Sequence, residues 1–290
     1  EGGLNRILAN YKFTVEENTP LEEDIALDPE LLGMVFENLL AELDPNLEQS
    51  TVNSIRRQTG SYYTPRKVIQ EMVNESLYLY LINYFKKHSL LKNDFQNEVH
   101  QMIYKDEVNV NDEAFCHAVV DALDNIRILD PACGSGAFPM GMLHRMVDIL
   151  NIVDVKNVYW LDKQLEKVDI LYREEFKREL SAHFDNYTRK LGIIKNCIYG
   201  IDIQPLAIQI SKLRFFISLL IDQKTEQGIN PMPNLETKLI CANSLKSMDN
   251  DNLFAFDINE LREARETYYR PDISQIRYNK FRKLKKRPEK

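Results

Sequence analysis

The sequence predicts an α/β protein: a mostly helical N-terminal module followed by the first half of a doubly wound parallel sheet. Three observations predict it. Up to about residue 125 the apolar positions recur at helical spacing; beyond it, three short apolar runs read as strands, at Ile126–Asp130, Cys197–Asp202 and Lys238–Cys241. The first of these passes through a glycine turn directly into a helical stretch, which is how doubly wound sheets begin.

The N-terminal module covers residues 1–125. Residues 21–43 read as a helix, with Asp28-Pro29 as cap and first turn and Leu31, Leu32, Val35, Phe36, Leu39 and Leu40 at helical spacing. A polar stretch then leads to Gly60-Ser61-Tyr62-Tyr63-Thr64-Pro65. Thr64 is placed as an N-cap and Pro65 at the first helical position, and Val68, Ile69, Met72, Val73, Leu77, Leu81 and Phe85 mark one face of the long helix that follows. Residues 86–125 read as further helices joined by polar turns.

The α/β part covers residues 126–250. Strand Ile126–Asp130 enters Pro131-Ala132-Cys133-Gly134-Ser135-Gly136 and a helix over Ala137–Leu150. Residues 160–191 are charged and helical in period. The second strand ends at Asp202 and is followed by a helix from Pro205 to about Asp222, with Leu206, Ile210, Leu213, Phe216, Ile217 and Leu220 inward. A rival second strand is Val158–Leu161, which would offer Asp162 in place of Asp202; Asp202 is preferred because a strong apolar helix follows it at once, as a βαβ unit demands. The third strand ends at Ala242-Asn243-Ser244-Leu245, and the expected sheet order is 3-2-1. With no fourth strand, the first becomes an open edge, and self-association or coverage by the C-terminal segment is expected.

Composition bounds the function. The chain of 290 residues is 44% hydrophobic and 28% charged, with a formal charge of −7. No apolar run approaches the roughly 20 residues that cross a bilayer, so a cytoplasmic protein with no membrane partner is expected. The four cysteines are scattered and expected to be buried free thiols; Cys116-His117 is the only adjacent soft-ligand pair, and no metal is implied. The charge is segregated: residues 261–290 hold eleven Lys/Arg against four Asp/Glu. This basic, helical 251–290 segment, with Tyr268, Tyr269, Tyr278 and Phe281 interleaved, suits either phosphate contact or a solvated face.

The chemistry concentrates at the strand ends. Gly134 and Gly136 let backbone N–H groups approach a ligand at a helix start, but Pro139 stands where a dinucleotide fingerprint needs its third glycine, so a nicotinamide or flavin site is disfavoured. Asp130 before the turn suits a cationic amine. Asp202 is placed to accept from two ribose hydroxyls, with Ile203 offering an apolar surface to a purine. A nucleoside carrying an ammonium group satisfies all three.

These residues carry a resemblance. Asp130-Pro131-Ala132-Cys133-Gly134-Ser135-Gly136-Ala137-Phe138 resembles motif I of amino-methylating DNA methyltransferases, and Gly60–Pro65 resembles the motif X that precedes it in the gamma arrangement. Gly200-Ile201-Asp202-Ile203 with Ala207 is similar to motif II, and Ala242-Asn243-Ser244-Leu245 to motif III. The likeness spans residues 28–245 and is greatest to the N6-adenine-specific enzymes of type IIG restriction-modification and BREX phage-defence systems. It implies a Rossmann-like class I sheet and S-adenosylmethionine as cofactor. Tyr63, Thr64 and Pro65 would hold its methionine end, Asp130, Pro131, Ala132, Cys133, Gly134 and Gly136 would surround its amine and carboxylate, Asp202 would bind ribose, Ile203 would pack on adenine and Asn243 would bond its edge. Double-stranded DNA would be the partner of the intact protein.

The family's catalytic Asn/Asp-Pro-Pro-aromatic motif does not occur in this sequence. Asn230-Pro231-Met232-Pro233 lacks the paired prolines and reads as a loop. No catalytic residue is assigned, and the chain is expected to be a piece of a longer enzyme that binds cofactor without turnover. Asp222 with Glu236-Thr237-Lys238 mimics a nuclease triad but falls on the third strand. An RNA or protein methyltransferase and a non-enzymatic partner-binding module are the remaining alternatives.

Overall fold

The computed structural model describes residues 64–88, 95–168, 170, 173–181, 185–223 and 234–246. The helix expected over 21–43, Tyr63, the Asn230-Pro231-Met232-Pro233 loop and the basic segment 251–290 lie outside the described residues. Among the described residues the chain forms α1 (Arg66–His88), α2 (Phe95–Lys105), α3 (Glu113–Asn125), β1 (Ile128–Asp130), α4 (Ala137–Val153), α5 (Val158–Glu166), α6 (Arg173–Ser181), α7 (Asp185–Asn196), β2 (Ile198–Asp202), α8 (Pro205–Leu220) and β3 (Leu239–Cys241).

Helix α1 starts where Thr64-Pro65 ends, and Ile69 N–H donates to the Pro65 carbonyl at 3.1 Å. That bond makes Pro65 the capping position, one residue later than the sequence suggests, a shift of the size at which helix ends are commonly set. Ile69, Val73, Leu77, Leu81, Ile82 and Phe85 are buried, a stripe that α4 meets closely. A Cβ on Gly141 of α4 would come within 2.6 Å of Ile69 Cγ2. Val68 and Met72, expected on the buried face, are 46% and 48% exposed, because they lie up to about 100° round the helix from that stripe. Helix α3 is capped by Asp112, whose Oδ1 accepts from Phe115 N–H at 3.0 Å.

The three strands form one parallel sheet with β2 in the middle. Asp130 pairs with Gly200, and Asp202 with Cys241. Strands β1 and β2 begin later than expected: residues 126, 127 and 197 lie outside them, as does Lys238 for β3. Parallel strands alternate sides, and Ile128, Ile198, Gly200 and Leu239 face the helices while Leu129 and Ile240 are exposed on the other side.

Residues 158–161, the rival second strand, are helical in α5, which removes Asp162 from the sheet. The sole tryptophan, Trp160, is fully buried there. The inward face of α8 also differs from expectation. Leu206 and Leu213 are 41% and 38% exposed, while Ala207, Ile208, Ser211, Arg214, Phe215, Ser218 and Leu219 are buried beside Ile210 and Ile217. The helix is turned so that polar residues pass under the glycine turn, which a count of apolar positions cannot reveal. All four cysteines are free; Cys116, Cys133 and Cys197 are buried, but Cys241 is exposed at the end of β3. Among the described residues no helix is long and apolar enough to cross a membrane.

Candidate functional site

A cleft of about 630 Å³ opens at the carboxyl ends of the strands. Each strand contributes its last residues and the turn beyond: Asp130–Gly134 from β1, Asp202 and Ile203 from β2, and Ala242, Asn243, Ser244 and Leu245 after β3. Thr64 closes one side.

The turn after β1 is pinned from several directions. Cys133 N–H donates to the Ile201 carbonyl at 2.9 Å, and Gly136 N–H to the Cys133 carbonyl at 2.8 Å. Gly134 and Gly136 both have positive φ, +52° and +86°, so side chains there would be strained. Gly136 is also pressed against α8: a Cβ would lie 2.4 Å from Ser211 Oγ. From the same helix, Arg214 Nη1 donates to the Ser135 carbonyl at 3.0 Å.

The two carboxylates are held differently. Asp130 Oδ1 accepts from Ala132 N–H at 3.1 Å. Burial raises its carboxyl above the ordinary aspartate value; the Ala132 bond lowers it and the nearby Asp202 raises it. Asp202 uses both oxygens, Oδ2 accepting from Gly134 N–H and Oδ1 from Gln204 N–H, each at 2.8 Å. It therefore ties the β1 turn to the start of α8. Burial first, then Asp130 and Asp202, push the Cys133 thiol up to about 12, which disfavours the thiolate. Its sulfur fills the space above Gly200, where a Cβ would sit 2.9 Å away. Asn243 forms an Asx turn, its Oδ1 accepting from Leu245 N–H at 3.0 Å, which leaves its NH₂ group to donate.

Of the residues singled out in the sequence, Thr64, Asp130, Pro131, Ala132, Cys133, Gly134, Asp202, Ile203 and Asn243 line this one cleft. Pro65 and Gly136 do not line it; Pro65 sets the start of α1 and Gly136 backs onto Ser211. Tyr63 lies outside the described residues. Ile69, Met72, Leu129 and Gln204 also line the cleft and were not anticipated. Helical spacing sets residues 69 and 72 side by side, a signal that points to core packing and serves equally for the cleft.

The described residues hold no group of three or more His, Cys, Asp or Glu side chains suited to a metal. Asp222, the first acid of the nuclease mimic, instead pairs with Lys190 at 2.6 Å, and Glu236 pairs with Lys212 at 3.0 Å. A second cavity of about 420 Å³, between α1, α2, α4 and α8, is lined by His144 and Arg214 and shares Ile69 and Ala137 with the first. Burial lowers the His144 imidazole to about 3, with Lys190, Arg214 and Arg66 adding to the effect.

Fold and cleft together define an α/β protein with a cleft at the carboxyl ends of parallel strands. Over 271 residues, 90% of the chain, it is 31% identical to a Methanocaldococcus jannaschii protein named "Putative type II restriction enzyme and methyltransferase". The match takes in 20% of the relative's length. No family model matches the chain, and no solved structure matches it.

Proposed function

We propose that the cleft binds S-adenosylmethionine and that the chain is the cofactor-binding part of a DNA adenine-N6 methyltransferase from a restriction-modification or phage-defence system. The observation that carries the reading is convergence: Asp130, Asp202, the 132–134 backbone and Asn243 come from three strand ends and line one cavity. Its volume falls within the roughly 300–1,000 Å³ typical of small-molecule sites. The order β1-β2-β3, with α4 and α8 between successive strands, supports a Rossmann-like sheet.

The donors and acceptors suit this cofactor. A carboxyl raised by burial gains most from a cationic partner, and the methionine end carries an ammonium group to meet Asp130. The first amides of α4 have no intrahelical carbonyl to reach, which favours the carboxylate beside it. Each oxygen of Asp202 accepts one N–H and keeps another acceptor site, so a ribose diol fits without displacing either bond. In this reading Tyr63 and Thr64 serve the methionine end, with Pro65 fixing the start of α1 behind them, while Ile203 and Asn243 serve the adenine face and edge. Bound there, the cofactor supplies an electrophilic methyl group. Duplex DNA as substrate, adenine as target, a cytoplasmic location and the absence of turnover by this chain alone belong to the same proposal.

Calorimetric titration with S-adenosylmethionine tests it. The parent should bind, and Asp130→Ala and Asp202→Ala should each weaken binding by about tenfold or more, since charge-assisted hydrogen bonds are lost. Unchanged affinity in both folded variants would overturn it.

A further inference from the structure

We infer that Arg214 is a positioning residue for the cofactor turn, acting from behind the cleft on the end of the ligand that the turn receives. The inference rests on the methyl-donor reading above and deepens it.

Arg214 is 4% exposed, and a buried guanidinium is costly unless its bonds and charge are used. One such use is explicit. Its Nη1 crosses from α8 to the Ser135 carbonyl, 79 residues away in sequence. The N–H of the same peptide unit, on Gly136, is taken by the Cys133 carbonyl. Both poles of the Ser135–Gly136 peptide are thus fixed, the carbonyl toward α8 and away from the cleft that Ser135 also lines.

The peptide needs such a hold. It joins Ser135 to Gly136, and both Gly136 and the preceding Gly134 have positive φ; glycine opposes rotation of a neighbouring peptide plane less than any other residue. Ser211, one turn before Arg214, packs on Gly136 but is spent on contact: its Oγ is buried without a hydrogen-bond partner. Among the described contacts, Arg214 supplies the hydrogen bond from α8 to the turn. If the guanidinium is lost, its bond to the Ser135 carbonyl goes with it and the peptide is freer to rotate, and a carbonyl turned into the cleft repels a carboxylate. Asp202, Ile203 and Asn243 stand on other strand ends, so the nucleoside half should be indifferent.

The test titrates two ligands into the full chain by calorimetry: S-adenosylmethionine, and 5′-methylthioadenosine, which keeps the nucleoside but lacks the amino-acid end. Arg214→Met should weaken S-adenosylmethionine by about tenfold or more, the scale of one charge-assisted hydrogen bond, while 5′-methylthioadenosine binds within twofold of the parent. Arg214→Lys, whose ammonium can reach the same carbonyl, should recover part of the loss. If Arg214→Met does not fold by circular dichroism, Arg214→Lys decides alone, by a loss confined to S-adenosylmethionine. Equal weakening of both ligands, or no weakening of either, would overturn the positioning role while leaving the cofactor reading intact. A parent that binds neither ligand would overturn both.

Discussion

Gly136 and Asp130 show how much of the cleft depends on single atoms. Gly136 combines a φ of +86° with a Cβ position 2.4 Å from Ser211 Oγ, so Gly136→Ala should destabilise the protein by about 1–3 kcal/mol in urea denaturation. Adding Ser211→Ala should return part of that, because the two residues share one contact. Asp130 has the opposite signature. Its folded-state pKa is raised, chiefly by burial, so the native state holds the proton more tightly, and stability falls as pH rises through the ordinary aspartate range. Asp130→Asn keeps the Ala132 hydrogen bond and removes that penalty. It should therefore stabilise the ligand-free protein at neutral pH, with the gain vanishing in acid, while cofactor affinity drops. His144 runs the other way. Its folded pKa is lowered to about 3 from 6.5, so the stability it contributes is present above the unfolded value and is lost as pH falls from about 6.5 toward 3. His144→Gln should flatten that part of the pH–stability curve in thermal melts.

At the scale of elements, what the sequence disclosed depended on how local the signal was. The Asp130–Gly136 turn, the Pro205 helix start and the three strand ends are legible because Gly, Pro and strand-terminal Asp have strict local reasons for their places. Helix faces were less legible. On α8 the buried set includes Ser211, Arg214 and Ser218, which apolar periodicity assigns to solvent, and on α1 the wetter flank at Val68 and Met72 was mistaken for core. Met72 borders the cleft, where an apolar side chain is partly exposed because it lines a site. The segment α5–α7 was legible only as helical in period, and its role is packing. Trp160 is fully buried, and Trp160→Ala should cost about 3–5 kcal/mol. As the sole tryptophan, it should emit at short wavelength when folded and shift red on unfolding, so fluorescence during denaturation checks the placement of α5.

For the whole molecule, one continuous core runs from the N-terminal helices through α4 to the buried side of the sheet; Leu77, Phe85, Met146, Ile149, Ile198 and Leu239 all belong to it. The other side of the sheet carries exposed Leu129 and Ile240, at 59% and 43%. Among the described residues β1 pairs only with β2, and a strand edge left without a partner invites pairing with another chain. The chain should therefore gain mass with concentration in analytical ultracentrifugation. Leu129→Asp should reduce that association and change stability little, whereas Ile198→Ala, on the buried face, should cost about 2–5 kcal/mol. The relative that matches 90% of this chain uses 20% of its own length to do so, and DNA binding and methyl transfer by the whole protein stay within the proposal.

A crystal grown with saturating S-adenosylmethionine puts the matter to one decisive reading. The ligand should lie along the strand ends, its ammonium within hydrogen-bond distance of Asp130, its ribose hydroxyls on Asp202 and its adenine against Ile203. An empty cleft, or a ligand bound elsewhere with Asp130 and Asp202 touching nothing of it, would contradict the assignment of this pocket to a methyl donor.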